Sequence, residues 1–189
     1  MMRAVVCAAL TAMIACTSRA PEGGIPLPPA YPRIAIADSV FAPLPSLPIR
    51  WEANEWARES ARHTNEANGS VKLDLVYEPY RASLLLTFTP AGSPEKRTGI
   101  LENRRERMAL NTTGLHTRLN TFTTASGITA AILTAPAGSP TPVQFVADTG
   151  SWIVSGALLL DSAPASADSI APVVRAVTRD ITHALINLK

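Results

Sequence analysis

The chain has 189 residues, of which 47% are hydrophobic and 17% charged, and this length is enough for one domain with a buried core. Its 17 Lys plus Arg against 15 Asp plus Glu leave it close to neutral, and no Lys/Arg cluster is interleaved with aromatic residues. Composition and charge therefore exclude nucleic acid as an expected partner.

The first residues of the chain have the layout of a secretory signal. Arg3 supplies a positive start, and the apolar run over residues 4–14 is shorter than the roughly 20 residues that a membrane-spanning helix needs. The run closes on Ile14-Ala15-Cys16, which resembles the lipobox of bacterial lipoproteins, where the cysteine becomes the first mature residue and carries acyl chains. We predict that residues 1–15 are a lipoprotein signal peptide and that Cys16 is the lipid attachment site, which would hold the protein on a membrane. The alternative is that Cys16 is an ordinary residue behind a signal cut by a different peptidase.

Residues 16–32 follow as a segment rich in proline and glycine, which favours an extended tether. Thr17 stands after Cys16, in place of the Asp that retains lipoproteins at the inner membrane in many bacteria, and no acidic run follows. We therefore expect attachment to the outer membrane, with the domain facing the periplasm. Since Cys7 would leave with the signal, no disulfide is expected within one mature molecule.

Residues 33–189 are predicted to form a single α+β domain. Short strands are expected at 33–37 and 48–52, where nearby prolines keep the chain extended at a sheet edge. Residues 71–77 alternate apolar and polar side chains, which indicates a strand with one buried face, and residues 80–89 follow as its hairpin partner.

The middle of the chain predicts one helix and then a series of strands. The helix is expected over residues 94–113, with Gly114 at its C-cap. Runs of β-branched residues separated by short turns predict four successive antiparallel strands, at 117–124, 128–134, 142–147 and 152–160.

The C-terminal segment has the most regular pattern in the sequence. Apolar residues recur at steps of three and four, which predicts one amphipathic helix built on Ile170, Val173, Val174, Val177, Ile181, Leu185 and Leu188. Asp168 or Ser169 is expected to cap this helix, Pro172 to lie in its first turn, and Asp180 and His183 to lie on its outer face. The predicted fold is α+β: an antiparallel β-sheet with the amphipathic C-terminal helix and the middle helix packed on it, an order of elements similar to that of PsbP-like domains.

The sequence contains no recognisable catalytic motif. Its three histidines, His63, His116 and His183, are isolated from one another and from thiolate partners, so neither a metal nor a cofactor is expected. Neither a phosphate-binding glycine loop nor a nucleophile elbow occurs. Three acidic residues that could take part in acid–base chemistry are better explained as solvated surface: Asp74, Asp148 and Asp161. No catalytic, cofactor-binding or metal-binding residue is therefore predicted.

Several segments follow the pattern of a known family in order and spacing. They include YPRI (31–34), YRASL (80–84), AGSPTPVQFVAD (137–148), IVSGALLL (153–160), DSIAPVV (168–174) and RDITH (179–183). Over most of its length the chain resembles the gliding motility lipoprotein GldD family. This resemblance implies an envelope lipoprotein of Bacteroidota-type bacteria, a non-catalytic accessory or assembly component of the gliding motility and type IX secretion machinery. Its implied partners are other envelope lipoproteins or secretion and motility proteins.

Two functions from different classes remain open at this point. An interaction or assembly module predicts exposed apolar residues on one face or edge of the sheet. A periplasmic small-ligand-binding protein or hydrolase predicts a pocket in which polar groups such as His116 or Asp74 converge.

Overall fold

Alternating apolar residues assemble the centre of the chain into one antiparallel sheet. The computed structural model describes residues 39–161 and 167–189, and the predictions for residues 1–37, including Cys16, lie outside this part. The strands are β1 (Phe41–Pro43), β2 (Glu52–Asn54), β3 (Arg58–Asn65), β4 (Ser70–Tyr77), β5 (Ala82–Pro90), β6 (Arg118–Thr123), β7 (Thr129–Thr134), β8 (Val143–Asp148) and β9 (Trp152–Leu160), and the helices are α1 (Pro94–Leu110) and α2 (Ala167–Ile186). Within the described residues, seven strands form a sheet in the order β3-β4-β5-β9-β8-β7-β6, and β1-β2 is a separate two-stranded sheet. The predicted α+β class is therefore confirmed.

The hairpin predicted at 71–77 and 80–89 is confirmed as β4 and β5. Leu73 and Leu75 of β4 are fully buried, and in the antiparallel register Leu75 lies opposite Leu84 of β5. A short 3₁₀ turn, Glu78–Tyr80, connects the two strands.

Two strands differ from the prediction made around residues 48–65. The prediction of a strand at 48–52 was wrong. The strand in this region, β2, begins only at Glu52 and pairs with β1. Before it, the Arg50 N–H donates to the carbonyl of Lys189 at 2.9 Å. The strand β3 was not predicted, because almost all of its residues are charged or polar and lie exposed at the edge of the sheet. A strand without a buried face leaves no apolar alternation in the sequence.

The four strands predicted between residues 117 and 160 are confirmed as β6 to β9. They form a meander, and β9 pairs with β5, which joins the meander to the β4–β5 hairpin. At the centre of the sheet a Cβ placed on Gly156 would lie 2.6 Å from the Phe145 ring and 2.7 Å from the carbonyl oxygen of Leu85. Close packing at this position therefore requires glycine.

The two helices lie on opposite faces of the sheet. Adjacent residues of a strand point in opposite directions, and in β8 Phe145 packs with residues of α2 whereas Val146 packs with Met108 of α1. On one face, Val177 and Ile181 of α2 are fully buried in the main core, where the Trp51 and Phe145 rings stack with centroids 5.7 Å apart. On the other face α1 covers a smaller cluster of buried residues, Ala91, Met108, Val146 and Ile153.

Helix α1 begins and ends close to the predicted positions. The Ser93 hydroxyl accepts from the Lys96 N–H at 3.3 Å, so Ser93 is the N-cap. The prediction for Gly114 was wrong: Asn111 is the C-cap, and Gly114, with a φ of +77°, lies in the turn that follows.

Helix α2 confirms the predicted apolar stripe but not the details at its start. It begins at Ala167, so Asp168 and Ser169 lie inside the helix and Pro172 lies in its second turn. Asp180 was predicted on the outer face, but it is only 4% exposed. It lies three residues after Val177 and four before Ala184, both buried, so helical spacing places it on the inner face.

Candidate interaction surface

An open groove with a volume of about 660 Å³ lies between α1 and one end of the sheet. Helix α1 packs mainly on β8 and β9, so it leaves part of the same face over β6 and β7 uncovered. The apolar side chains that line this α1 groove include Leu101, Met108, Leu119, Ala131, Leu133 and Val146.

Polar contacts near both ends of α1 join the helix to β8. Arg97 donates from Nε and Nη2 to one carboxylate oxygen of Asp148, at 2.8 and 2.7 Å. Near the other end, Gln144 is 3% exposed, accepts from Asn111 Nδ2 at 2.9 Å and donates to the Met108 carbonyl at 3.4 Å. Buried polar groups that are hydrogen-bonded in this way position a helix specifically.

Three leucines in and after the end of α1 are exposed. Leu110 at the end of α1 is 66% exposed, Leu115 in the following loop 41%, and Leu119 on β6 62%. Singly exposed leucines are ordinary, but these three lie within ten residues of one another in the sequence and Leu119 also lines the groove. This short run of leucines is the sequence signal that could have indicated the surface.

Among the described residues that line the groove, one charged side chain has no ion-pair partner. Asp148 lines the groove but is paired with Arg97, whereas Arg105, which also lines it, forms no ion pair with any described residue. On the neighbouring side of α1, burial lowers the pKa of the Arg104 guanidinium, which does not line this groove. The groove therefore favours apolar groups accompanied by a negative charge.

A polar cluster on the opposite side of the sheet connects the small sheet to α2. His183 Nε2 lies 2.9 Å from Glu52 Oε2, and the Phe41 ring stacks on His183 at 3.6 Å. The hydrogen bond with His183 holds the pKa of the Glu52 carboxyl below its usual range, and Arg50 adds to this effect. No hydroxyl or thiol of the described residues hydrogen-bonds to His183. The pair therefore lacks the nucleophile that an acyl-transfer site requires and acts as a structural contact.

Asp180 lies buried beneath this cluster. One of its carboxylate oxygens, Oδ1, has no hydrogen-bond partner among the described residues, and Arg179 Nε is 3.8 Å from it. Burial raises the pKa of Asp180, which outweighs the lowering by Arg179 and by the nearby polar groups. Burial likewise raises the pKa of Tyr77, and the charge of Asp180 contributes to that shift.

The polar residues singled out in the sequence lie apart from the groove, with one exception. His63, His116 and Asp161 are exposed, Asp74 is half-buried on β4, and none of these four lines the groove. Asp148 was predicted to be solvated surface and was misassigned: its side chain is 12% exposed and is paired. Among residues 39–161 and 167–189, no group of His, Cys, Asp and Glu is arranged to hold a metal ion.

Fold and surface together define an α+β domain that exposes a mainly apolar groove, with Arg105 in its lining, beside an edge strand. The model of the family described as gliding motility lipoprotein GldD matches residues 22–189. The chain therefore belongs to the gliding motility lipoprotein GldD family. The match begins after Cys16, so it leaves the proposed lipid attachment site outside. A search of curated proteins finds no match. Of the two described helices, neither is long and apolar enough to cross a bilayer.

Proposed function

We propose that this protein is a non-catalytic assembly component of the gliding motility and type IX secretion machinery. In this proposal acyl chains such as palmitate on Cys16 hold it on the outer membrane, and its domain faces the periplasm and contacts other envelope proteins. Membership of a motility lipoprotein family supports the setting.

The observation that supports an assembly role best is the exposed α1 groove. It is lined mainly by apolar side chains, whereas the ionisable residues on the other face, Glu52, Asp180 and His183, make contacts within the fold. An apolar surface of this kind, which includes the exposed Leu119, is typical of a site that another molecule covers.

Lipid attachment is tested by metabolic labelling with an alkyne analogue of palmitate. We expect label on the native protein and none on Cys16→Ser, which should also shift the protein from the membrane to the soluble fraction. Cys7→Ser is the matched control, because the proposal removes Cys7 with the signal, and it should label normally. Label on Cys16→Ser, or unchanged membrane binding of that variant, would contradict the anchor.

The assembly role is tested by crosslinking with mass spectrometry in native cells, followed by gene deletion. We expect crosslinks to envelope lipoproteins or to secretion and motility proteins, and loss of gliding or of type IX secretion on deletion. A cell that glides and secretes normally without the protein would contradict the proposal.

The volume of the groove favours a second candidate, a periplasmic protein that binds a small ligand. About 660 Å³ falls within the roughly 300–1,000 Å³ typical of ligand sites, and Arg105 beside the apolar lining suits an apolar chain with an anionic head. The test is titration with a fluorescent fatty acid. This candidate predicts saturable binding that is lost in Leu133→Arg, at the groove. Binding should be kept in Ile186→Arg, on the exposed side of α2. If the native protein shows no saturable binding, the candidate is excluded.

A further inference from the structure

The two edges of the seven-stranded sheet differ in how they are protected. β3 carries charged residues at Arg58, Glu59 and Arg62, and a bulge breaks its register between Glu59 and Ala61. Charges and bulges are the usual means of preventing an edge strand from pairing with another chain. β6 has neither a bulge nor a proline, and its six residues stay in register with β7 from end to end. Of the two edges, judged on residues 39–161 and 167–189, β6 is the one open to a further strand.

The register shows which backbone groups of β6 face outward. The Thr124 N–H donates to the Ile128 carbonyl at 2.9 Å, one step beyond the Thr123↔Thr129 pair. Bonded positions alternate in an antiparallel ladder, so residues of even number in β6 bond to β7. The N–H and carbonyl groups of Leu119, Thr121 and Thr123 therefore point away from the sheet. Within the described residues no strand pairs with them.

The side chains of the same three residues lie on the face of the sheet that carries the α1 groove. Leu119 and Thr121 line the groove, and Leu119 is 62% exposed. A strand added beside β6 would place every second side chain on this face, next to Leu119 and on the side of the groove away from α1. Backbone hydrogen bonds and an apolar recess are thus available at one place.

Charge indicates what kind of strand fits this edge. Arg105 lies at the groove, and Arg118, at the start of β6, points to the other face by alternation, and neither forms an ion pair with a described residue. β6 itself contains no Asp or Glu. The β6 strand of a second copy paired edge to edge would bring another Arg118 and no carboxylate, whereas an acidic partner would neutralise the arginines.

We propose that β6 is a docking edge for an extended, acidic segment of a partner protein, which adds to the sheet as a further strand and places apolar side chains in the α1 groove. This inference rests on the proposed assembly role and specifies where its contact is made.

The test places a photo-crosslinking amino acid at position 119 in native cells, with His63 on β3 as the matched position at the other edge. We expect an adduct at 119 that mass spectrometry maps to an acidic segment of an envelope protein, and none at 63. Thr121→Pro removes an outward N–H but no hydrogen bond to β7, so the fold should survive. The yield of the adduct should fall about tenfold, the loss expected when one backbone hydrogen bond is removed and the added strand is obstructed. Thr121→Val retains the N–H and should keep the adduct.

A second pair of variants avoids any change in the strand. Arg105→Glu on α1 should weaken the adduct, and Arg105→Lys should preserve it, because only the former reverses the charge. These variants decide the matter if thermal unfolding shows that Thr121→Pro has lost its fold.

Several results would overturn the docking edge. They are an equal adduct at position 63, an adduct consisting of lipid or of a second copy, and an adduct that persists in a folded Thr121→Pro. Deletion separates this inference from the proposed function. If deletion abolishes gliding or secretion and Thr121→Pro restores it fully, the docking edge is wrong and the assembly role stands. If deletion has no effect, the assembly role is wrong, and the adduct at position 119 alone decides the docking edge.

Discussion

Replacing Gly156 by alanine should lower the stability of this protein, although the same substitution usually stabilises a strand. Gly156 lies in β9 between β5 and β8. Its added Cβ would lie 2.6 Å from the Phe145 ring and 2.7 Å from the Leu85 carbonyl oxygen, so both a side chain and the backbone of the neighbouring strand must move. The expected loss is about 1–3 kcal/mol, the usual cost of overpacking a core.

The assay is thermal and urea unfolding of the purified protein. For a domain of this size each kcal/mol lowers Tm by about 2–4 °C, so Gly156→Ala should lower it by about 2–12 °C. The matched control is Gly99→Ala in α1, where nothing lies within 4 Å of the added carbon. There alanine should stabilise the protein by about 0.5–1 kcal/mol, since glycine is the weaker helix former.

A double-mutant cycle identifies the clash as the cause. Phe145→Leu alone opens a cavity, but combined with Gly156→Ala it should show a favourable coupling of about 1 kcal/mol or more, because the smaller side chain relieves the close contact. Additive effects, or a Gly156→Ala variant as stable as the native protein, would refute this reasoning.

Three further predictions concern the other face of the sheet. Leu185→Ala should lower the free energy of unfolding by about 2–5 kcal/mol, because the Leu185 side chain is fully buried. Ile186 is 54% exposed, so Ile186→Ala should change it by less than about 0.5 kcal/mol. Urea unfolding of both variants checks this. Burial raises the pKa of Asp180, so the folded protein retains the carboxyl proton to higher pH than the unfolded chain does. Stability should therefore fall as the pH rises from about 4. Asp180→Asn should flatten that part of the profile of Tm against pH, and an unchanged profile would contradict the shift. The pKa of Glu52 is lowered instead. Its contribution to the stability of the fold is therefore present above the usual carboxyl pKa and is lost as the pH falls through the lowered value. Glu52→Gln should therefore remove that acid-side loss, and a profile identical to the native one would show that the contact with His183 does not stabilise the fold.

Local patterns in the sequence predicted the elements that have one buried face. The alternation over residues 71–77 and the three-and-four spacing of α2 depend only on which residues avoid water, so β4 and α2 were found with small errors at their ends. The strand β3 was missed because it has no buried face. Asp180 was misplaced because a carboxylate was expected to avoid the interior, although its spacing from Val177 and Ala184 indicated the inner face.

The sequence by itself determined the class of fold and the likeness to a motility lipoprotein family, because apolar periodicity and motif spacing are properties of neighbouring residues. Only the tertiary structure decided that the two helices lie on opposite faces, that Arg97 meets Asp148, and that Leu119 lines a groove with residues of α1. These relations join residues far apart in the chain, 51 positions apart for the ion pair. They depend on how the strands are ordered in the sheet, and no local pattern specifies that order.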